Sequence, residues 1–333
     1  MVRIAVIGGS GYTARELLRI LSSHPHAEIC AVTSRSHVGE SLASVHPSLS
    51  GLFDISFTEW STESNEFDFV FSCLPHAASA EIVFRLPEGT KVVDFSADYR
   101  LNDLETYESW YKVKHPEPES FGQVPYGLPE FFRSEISRAS RVANPGCFPT
   151  SALLPLVPLF ENQVIGPEHL IVDSKTGISG AGRNAKLRFH FPESNESVAA
   201  YSVGQHRHGP EIEHLIQRKT GRSVGITFTP HLIPMTQGIL STIYVRKEES
   251  QGVGEIADCW KAAFASEPFV QIVDQPPSTA DVKGTNRCHL FCAESGQHIV
   301  LISAIDNLIK GASGAAVQNF NLMNQFEETL ALA

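Results

Sequence analysis

The sequence predicts an α/β architecture in two parts, a parallel-sheet domain followed by an α+β domain, and three observations predict it. The chain has 333 residues, the length of about two domains at roughly 100–200 residues each. Over its first 150 residues short apolar runs alternate with helical patterns. Runs such as Phe69-Val70-Phe71 are continuous rather than alternating, as in strands covered by helices on both faces. Beyond that point strand-like runs follow one another with fewer helices between them, the pattern of a mixed or antiparallel sheet.

In chain order, residues 3–7, 28–33, 67–74, 91–95 and 142–143 read as the strands of the first domain. Leu17, Leu18 and Leu21 recur at helical spacing between the first two, so that residues 3–33 have the length of one βαβ unit. In the second domain residues 170–173, 198–203, 225–232, 239–245, 288–293 and 299–305 read as strands, and 210–219 and 254–265 as helices. The segment 310–330 is helical, with a small-residue face (Gly311, Ser313, Gly314, Ala315) that permits close packing. The Pro-rich stretch 113–129 reads as an ordered surface excursion. No internal repeat of 20–50 residues is present.

Composition narrows the partners. Apolar residues make up 42% and charged residues 19%, which suits a soluble globular protein. Lys+Arg 26 against Asp+Glu 37 leaves a net charge of −11, the wrong sign for a nucleic-acid backbone as the main partner. No run approaches the roughly 18 apolar residues of a membrane helix, and the apolar run ending at Ile7 is too short for a signal peptide. Six sparse, irregularly spaced cysteines argue against a disulfide framework, so a cytoplasmic setting is expected.

Three segments carry chemistry. The run Gly8-Gly9-Ser10-Gly11-Tyr12-Thr13-Ala14 lies between the first strand and the first helix. There glycines allow a tight turn and close approach of a pyrophosphate, and the helix N-terminus offers free N–H groups: a Rossmann-type dinucleotide site. The spacing is G-x-x-G-x-x-A rather than G-x-G-x-x-G, so the strand–turn–helix context carries the reading. The second strand ends in Ser34-Arg35-Ser36 without the acid that would hold a ribose 2′-OH. A guanidinium flanked by hydroxyls suits a 2′-phosphate, which favours NADP(H) over NAD.

The second segment is Asn144-Pro145-Gly146-Cys147-Phe148-Pro149-Thr150, where Pro149 fits the first turn of a helix. Cys147 then sits at a helix N-terminus, whose dipole favours thiolate, and is the candidate nucleophile. The third is His206-Arg207-His208-Gly209-Pro210-Glu211. Glu211 follows His208 by three residues and can orient its imidazole for acid–base work, although His208 could instead simply begin the helix. His206 and His208 could also supply two metal ligands, but no third stands at matching spacing, so no metal is expected. Ser174–Arg183, which ends in the cation Arg183, and Ser96–Leu101, with Arg100, gather anion-binding features.

Taken together these segments resemble the N-acetyl-γ-glutamyl-phosphate reductase family. The family pattern appears as GGSGYTARELL at 8–18, SADYRL at 96–101, NPGCFPT at 144–150, SKTGISGAGR at 174–183, HRHGPE at 206–211 and DNLIKGASGAAVQNFNLM at 306–323. The chain departs from it in Ala14 where Gly is usual, Phe148 where Tyr is common, and Gly209 where Thr is frequent.

The resemblance implies an enzyme of arginine biosynthesis, an NADP-dependent acyl-phosphate reductase acting through a thioester on Cys147, with His208 and Glu211 completing the catalytic set. It implies that Ser10, Gly11, Tyr12 and Thr13 contact the dinucleotide and that Ser34, Arg35 and Ser36 meet the 2′-phosphate. Ser179, Gly180, Gly182 and Asn307 would lie toward the nicotinamide, and Arg100, Arg183 and His206 toward the substrate.

It further implies an NADP domain at 1–147, completed by a C-terminal helix in 310–333 that packs back on it. A catalytic and oligomerisation domain would span 148–309, assembling a homodimer or homotetramer. The rivals are a related dehydrogenase acting on a carrier-linked aminoadipyl or glutamyl phosphate or on aspartyl phosphate, and a non-catalytic NADP-binding sensor. The carrier version calls for a basic docking face, which the net charge of −11 does not favour.

Overall fold

The computed structural model describes residues 1–61, 67–87, 89–168, 170–247 and 252–332. The chain divides into two compact units, residues 1–145 with 312–333, and residues 146–311.

Unit 1 is built on five parallel strands in the order β2-β1-β3-β4-β5. These are β1 (Val2–Ile7), β2 (Ala27–Val32), β3 (Phe69–Ser72), β4 (Lys91–Asp94) and β5 (Arg141–Ala143). The central strands are apolar on both faces: Ile4–Ile7 and Phe69–Phe71 are all buried, because helices cover the sheet on each side. The helix Tyr12–Leu21 presents Leu17, Leu18, Ile20 and Leu21 to this core.

The last helix, Gly314–Met323, belongs to the same unit and is buried along most of its length. Polar contacts fix it there. Asn319 Nδ2 donates to the Gly127 carbonyl (2.9 Å), Lys91 Nζ to the Met323 carbonyl (2.7 Å), and His24 Nε2 meets Asn321 Oδ1 at 2.8 Å. The helix expected over 310–330 is shorter than the sequence suggests. Ile309–Ser313 is a π-helical turn, and the α-helix stops at Asn324, before Gln325 turns left-handed at φ 60°.

Unit 2 carries a seven-stranded mixed sheet in the order β10-β11-β12-β9-β6-β8-β7. Its strands are β6 (Leu170–Thr176), β7 (Ala199–Ala200), β8 (Ile226–Leu232), β9 (Ile239–Arg246), β10 (Val270–Ile272), β11 (Cys288–Ser295) and β12 (His298–Ile305). The strand expected over 198–203 shrinks to the two residues of β7, because Ser202 adopts φ 47°, outside the extended region. The short β10 has too little apolar pattern to be seen in the sequence.

One face of this sheet packs on the helix Cys147–Glu161, in which every residue from Phe148 to Phe160 is buried. Pro155 and Pro158 lie inside that helix, where a proline costs about 3 kcal/mol on an exposed helix. Burial against Ile212, Leu215 and Ile216 of the helix His208–Thr220 and Trp260 of the helix Val253–Ala263 outweighs this. A buried hydroxyl cluster ties the helix to the sheet: Ser151 Oγ donates to Ser241 Oγ at 2.7 Å, and Ser241 Oγ also meets Ser174 Oγ at 2.7 Å. The first turn of this helix, with Cys147, is thereby anchored one turn from its start.

Candidate active site

In unit 1 the Gly-rich turn is shaped by backbone. Gly8 has φ +80°, a region closed to most side chains. A Cβ on Gly9 would stand 2.2 Å from Val32 Cγ1, so only glycine lets the turn lie against β2. Gly9 N–H donates to the Thr33 carbonyl (2.8 Å), and His46 Nε2 donates to the Gly9 carbonyl (2.9 Å). Gly11 is the N-cap of the helix Tyr12–Leu21, with no side-chain cap and no acid in the first turn. Among the described residues, nothing beyond its own stretch of chain lies within 4 Å of where a Gly11 Cβ would be. The turn therefore presents N–H groups and open space, which fits a pyrophosphate.

At the end of β2, Ser36 N–H donates to Ser34 Oγ at 3.3 Å, which curls the loop. Arg35 is exposed and, among the described residues, has no hydrogen bond or ion pair, so its guanidinium is available to a phosphate.

The loop after β4 is knitted by carboxylates. Asp94, fully buried, accepts from Ser79 Oγ and Ser96 Oγ, both at 2.6 Å, and Asp98 accepts from Tyr107 Oη at 2.9 Å. Burial, and then the nearby Asp98, push the Asp94 carboxyl up to about 6. Arg100 is buried, with Nε on the Asn144 carbonyl (2.7 Å) and Nη2 on the Phe95 carbonyl (2.8 Å). These bonds hold its guanidinium at the carboxyl ends of β4 and β5, the edge where open parallel sheets bind ligands.

In unit 2, Cys147 is the first residue of its helix, with Gly146 as N-cap and no side-chain cap. The buried Glu211 carboxylate accepts the Gly146 N–H through Oε1 at 3.0 Å. It thereby joins the helix that begins with His208 to the turn that presents the thiol. Gly311 closes on Cys147 from another side: a Cβ there would be 2.8 Å from Cys147 Cβ, and the π-helical turn accommodates this approach. Burial pushes the thiols of Cys73, Cys259 and Cys292 up, which makes each a poorer nucleophile.

The two histidines lie side by side. His206 Nδ1 accepts the His208 N–H at 3.1 Å. Burial, and then Arg207, push the His206 imidazole down to about 4. His206 is therefore neutral at neutral pH with one nitrogen already used, a poor proton donor. Its ring packs against Phe148 (5.5 Å), Tyr201 (5.4 Å) and Phe228 (5.3 Å). The His208 ring lies 4.8 Å from that of His206 and 5.7 Å from that of Phe148, the residue after the thiol. Gly209, where the resemblance leads one to expect Thr, has open space at its Cβ position.

The loop after β6 meets the residue after β12. Asn307 Nδ2 donates to Ser179 Oγ (3.1 Å), and its Oδ1 accepts the Gly238 N–H (2.7 Å). Gly180 lies beside the same amide, its Cβ position 3.6 Å from Asn307 Nδ2. Gly182 turns at φ +79° and Arg183 is exposed. Tyr201 and Arg188, near the histidines, belong to no motif seen in the sequence; an aromatic within a short apolar run carries no signal of its own. Among the described residues no group of three or more His, Cys, Asp or Glu is gathered as for a metal, and no helix is long and apolar enough to cross a membrane.

Comparison with known proteins decides the family. Residues 3–139 match the semialdehyde dehydrogenase NAD binding domain and residues 147–307 the semialdehyde dehydrogenase dimerisation domain. An N-acetyl-gamma-glutamyl-phosphate reductase of Rhodopirellula baltica is 48% identical, over 99% of this chain and 98% of its own. The chain belongs to the N-acetyl-γ-glutamyl-phosphate reductase family. A second member, from Moorella thermoacetica, is 45% identical over 100% of this chain and 98% of its own.

Solved structures share the fold at much lower identity. Aspartate semialdehyde dehydrogenase II of Vibrio cholerae superposes with a TM-score of 0.74 at 15% identity, over 98% of both chains. The Candida albicans aspartate semialdehyde dehydrogenase with NADP gives 0.68 at 16%, over 97% of this chain and 98% of that one. The family is one of reductases, and the two-part α/β architecture read from the sequence is the one its structural relatives have.

Proposed function

We propose that the chain reduces N-acetyl-L-glutamyl 5-phosphate to N-acetyl-L-glutamate 5-semialdehyde with release of phosphate, as a step of arginine biosynthesis. The observation that carries the reading is the setting of Cys147: the first residue of an uncapped helix, its N-cap held by Glu211 from the helix that His208 begins. The curated relatives at 45–48% identity bear the name of this reaction.

In the mechanism, Cys147 Sγ attacks the acyl carbon and the carbon–oxygen bond to phosphate breaks, leaving a thioester. The Cys147 N–H, at the helix start, stabilises the oxyanion. NADPH, when bound, would supply the hydride for the thioester carbonyl. His208 then protonates the departing Cys147 sulfur as the oxyanion left by hydride addition re-forms the carbonyl, the carbon–sulfur bond breaks and the aldehyde leaves.

Glu211 keeps the thiol-bearing turn and the His208 helix in register, and neutral His206 walls the site without competing for the proton. Gly8, Gly9, Ser10, Gly11, Tyr12 and Thr13 hold the pyrophosphate, Ser34, Arg35 and Ser36 the 2′-phosphate, and Ser179, Gly180, Gly182 and Asn307 the nicotinamide end. Arg100 and Arg183 draw in the substrate's anionic groups. The enzyme works in the cytoplasm as a homodimer or homotetramer assembled through unit 2, consistent with the dimerisation domain it matches.

The test runs the reaction backwards: phosphate-dependent reduction of NADP⁺ by N-acetylglutamate semialdehyde. Cys147→Ala should lower turnover by about 10⁴-fold or more while NADP⁺ still binds. Activity that persists in the variant, or a wild-type protein that binds NADP⁺ and turns over only aspartate semialdehyde or a carrier-linked aldehyde, would overturn the proposal.

A further inference from the structure

The segment between the Ser179 loop and the histidines brings an unused pair of donors to the candidate site of unit 2. The Arg188 guanidinium carbon lies 5.8 Å from the Tyr201 ring centre and 5.4 Å from that of Phe189, so two aromatic faces hold it. Tyr201 is itself fixed, its N–H donating to the Pro230 carbonyl of β8 at 3.1 Å and its ring packed edge-on to His206 at 5.4 Å. Among the described residues the Tyr201 hydroxyl has no hydrogen-bond partner, and Arg188 makes neither a hydrogen bond nor an ion pair. Burial, and then the proximity of Cys147, push the Tyr201 phenol up, so it remains a proton-bearing donor. Arg183, Lys186 and Arg188 fall within residues 183–190 without an acid, in a chain whose net charge is −11.

Arg188 is exposed and Tyr201 half-buried, so the two donors face a side of the site that an anion can reach from solvent. The sequence of ring contacts locates it: Phe148 to His206 at 5.5 Å, His206 to Tyr201 at 5.4 Å, then Arg188. The pair is thus separated from the residue after the thiol by one imidazole. That suits a group carried several carbons beyond the reacting carbonyl better than the phosphate, which leaves from the carbonyl itself. We propose that Arg188 and Tyr201 form a carboxylate subsite that reads the free α-carboxylate of the acyl substrate while Cys147 holds its distal carbonyl. This deepens the function proposed above and rests on it. A guanidinium and a phenol hydroxyl together offer a carboxylate charge-assisted hydrogen bonds from two directions.

The experiment compares two aldehydes, N-acetylglutamate semialdehyde and 4-acetamidobutanal, which has hydrogen in place of the carboxylate. Arg188→Ala should raise KM for the first by about 10- to 100-fold with kcat within about twofold, the loss expected for charge-assisted bonds. It should leave kcat/KM for the second unchanged. Arg188→Lys should recover part of the loss, and Tyr201→Phe should raise KM by about 3- to 10-fold. Equal losses on both aldehydes would mean a structural role and would overturn the subsite, as would an unchanged KM for the carboxylated one. A wild-type protein inactive on both aldehydes would instead remove the proposed function, and the subsite with it.

Discussion

The two units differ in what their chemistry is made of. In unit 1 the candidate ligand-facing surface is mostly backbone: the turn Gly8–Gly11, the N-terminus of the helix Tyr12–Leu21, and carbonyls that pin Arg100. In unit 2 the candidate site is built of side chains drawn from separate elements: a thiol, two imidazoles, a carboxylate and, as proposed above, an arginine–tyrosine pair. A backbone site recognises what all dinucleotides share and tolerates exchange of neighbouring side chains. A side-chain site fails when one group is lost. Removing single residues from each unit should therefore give different kinds of damage.

The largest effect after loss of the thiol is expected at the histidines. His208→Asn should slow turnover by about 10²–10⁴-fold with the fold intact. His206→Asn should do far less to the chemical step, because burial keeps that imidazole unprotonated and its Nδ1 is already an acceptor. Single-turnover rates of the two variants check this, and the reverse order would exchange their roles.

A backbone site should break differently. Gly9→Ala puts a methyl 2.2 Å from Val32 Cγ1 and 3.2 Å from Phe57 Cε1. The expected outcome is a loss of about 1–3 kcal/mol of stability together with weaker NADP⁺ binding, read from Tm and from fluorescence titration. A variant that loses affinity at unchanged Tm would show that the turn and the packing beneath it are separable.

The smallest effect sharpens the comparison within unit 1, at its candidate charged side-chain contact to the cofactor. Arg35→Ala should weaken NADP⁺ by about 10- to 100-fold and leave NAD⁺ unchanged, since only the former carries a 2′-phosphate for the guanidinium. Equal losses for both dinucleotides would remove Arg35 from that role.

How much was legible in advance follows the same division. The Gly-rich turn, the Gly146-Cys147 helix start and the pair His206 and His208 are each local in the chain, so spacing alone announces them. Glu211 was legible as a neighbour of His208, three residues away, but not as the acceptor for Gly146, 65 residues away. Arg188 and Tyr201 were illegible, because a cation over an aromatic ring is made by the return of the chain along β8 rather than by any spacing. The strand expected over 198–203 failed for a related reason: its apolar pattern is genuine, but a left-handed backbone at Ser202 ends the pairing.

By itself the sequence determined the α/β class, the order of parallel and mixed sheets, the Gly-rich turn and the candidate nucleophile. Periodicity, glycine and proline act over a few residues, and their physics is written locally. The tertiary structure decided which acid anchors the thiol-bearing turn, that burial holds His206 neutral, and why Gly311 must be glycine. Each of these depends on burial or on contact between distant segments, and neither exists until the chain has folded.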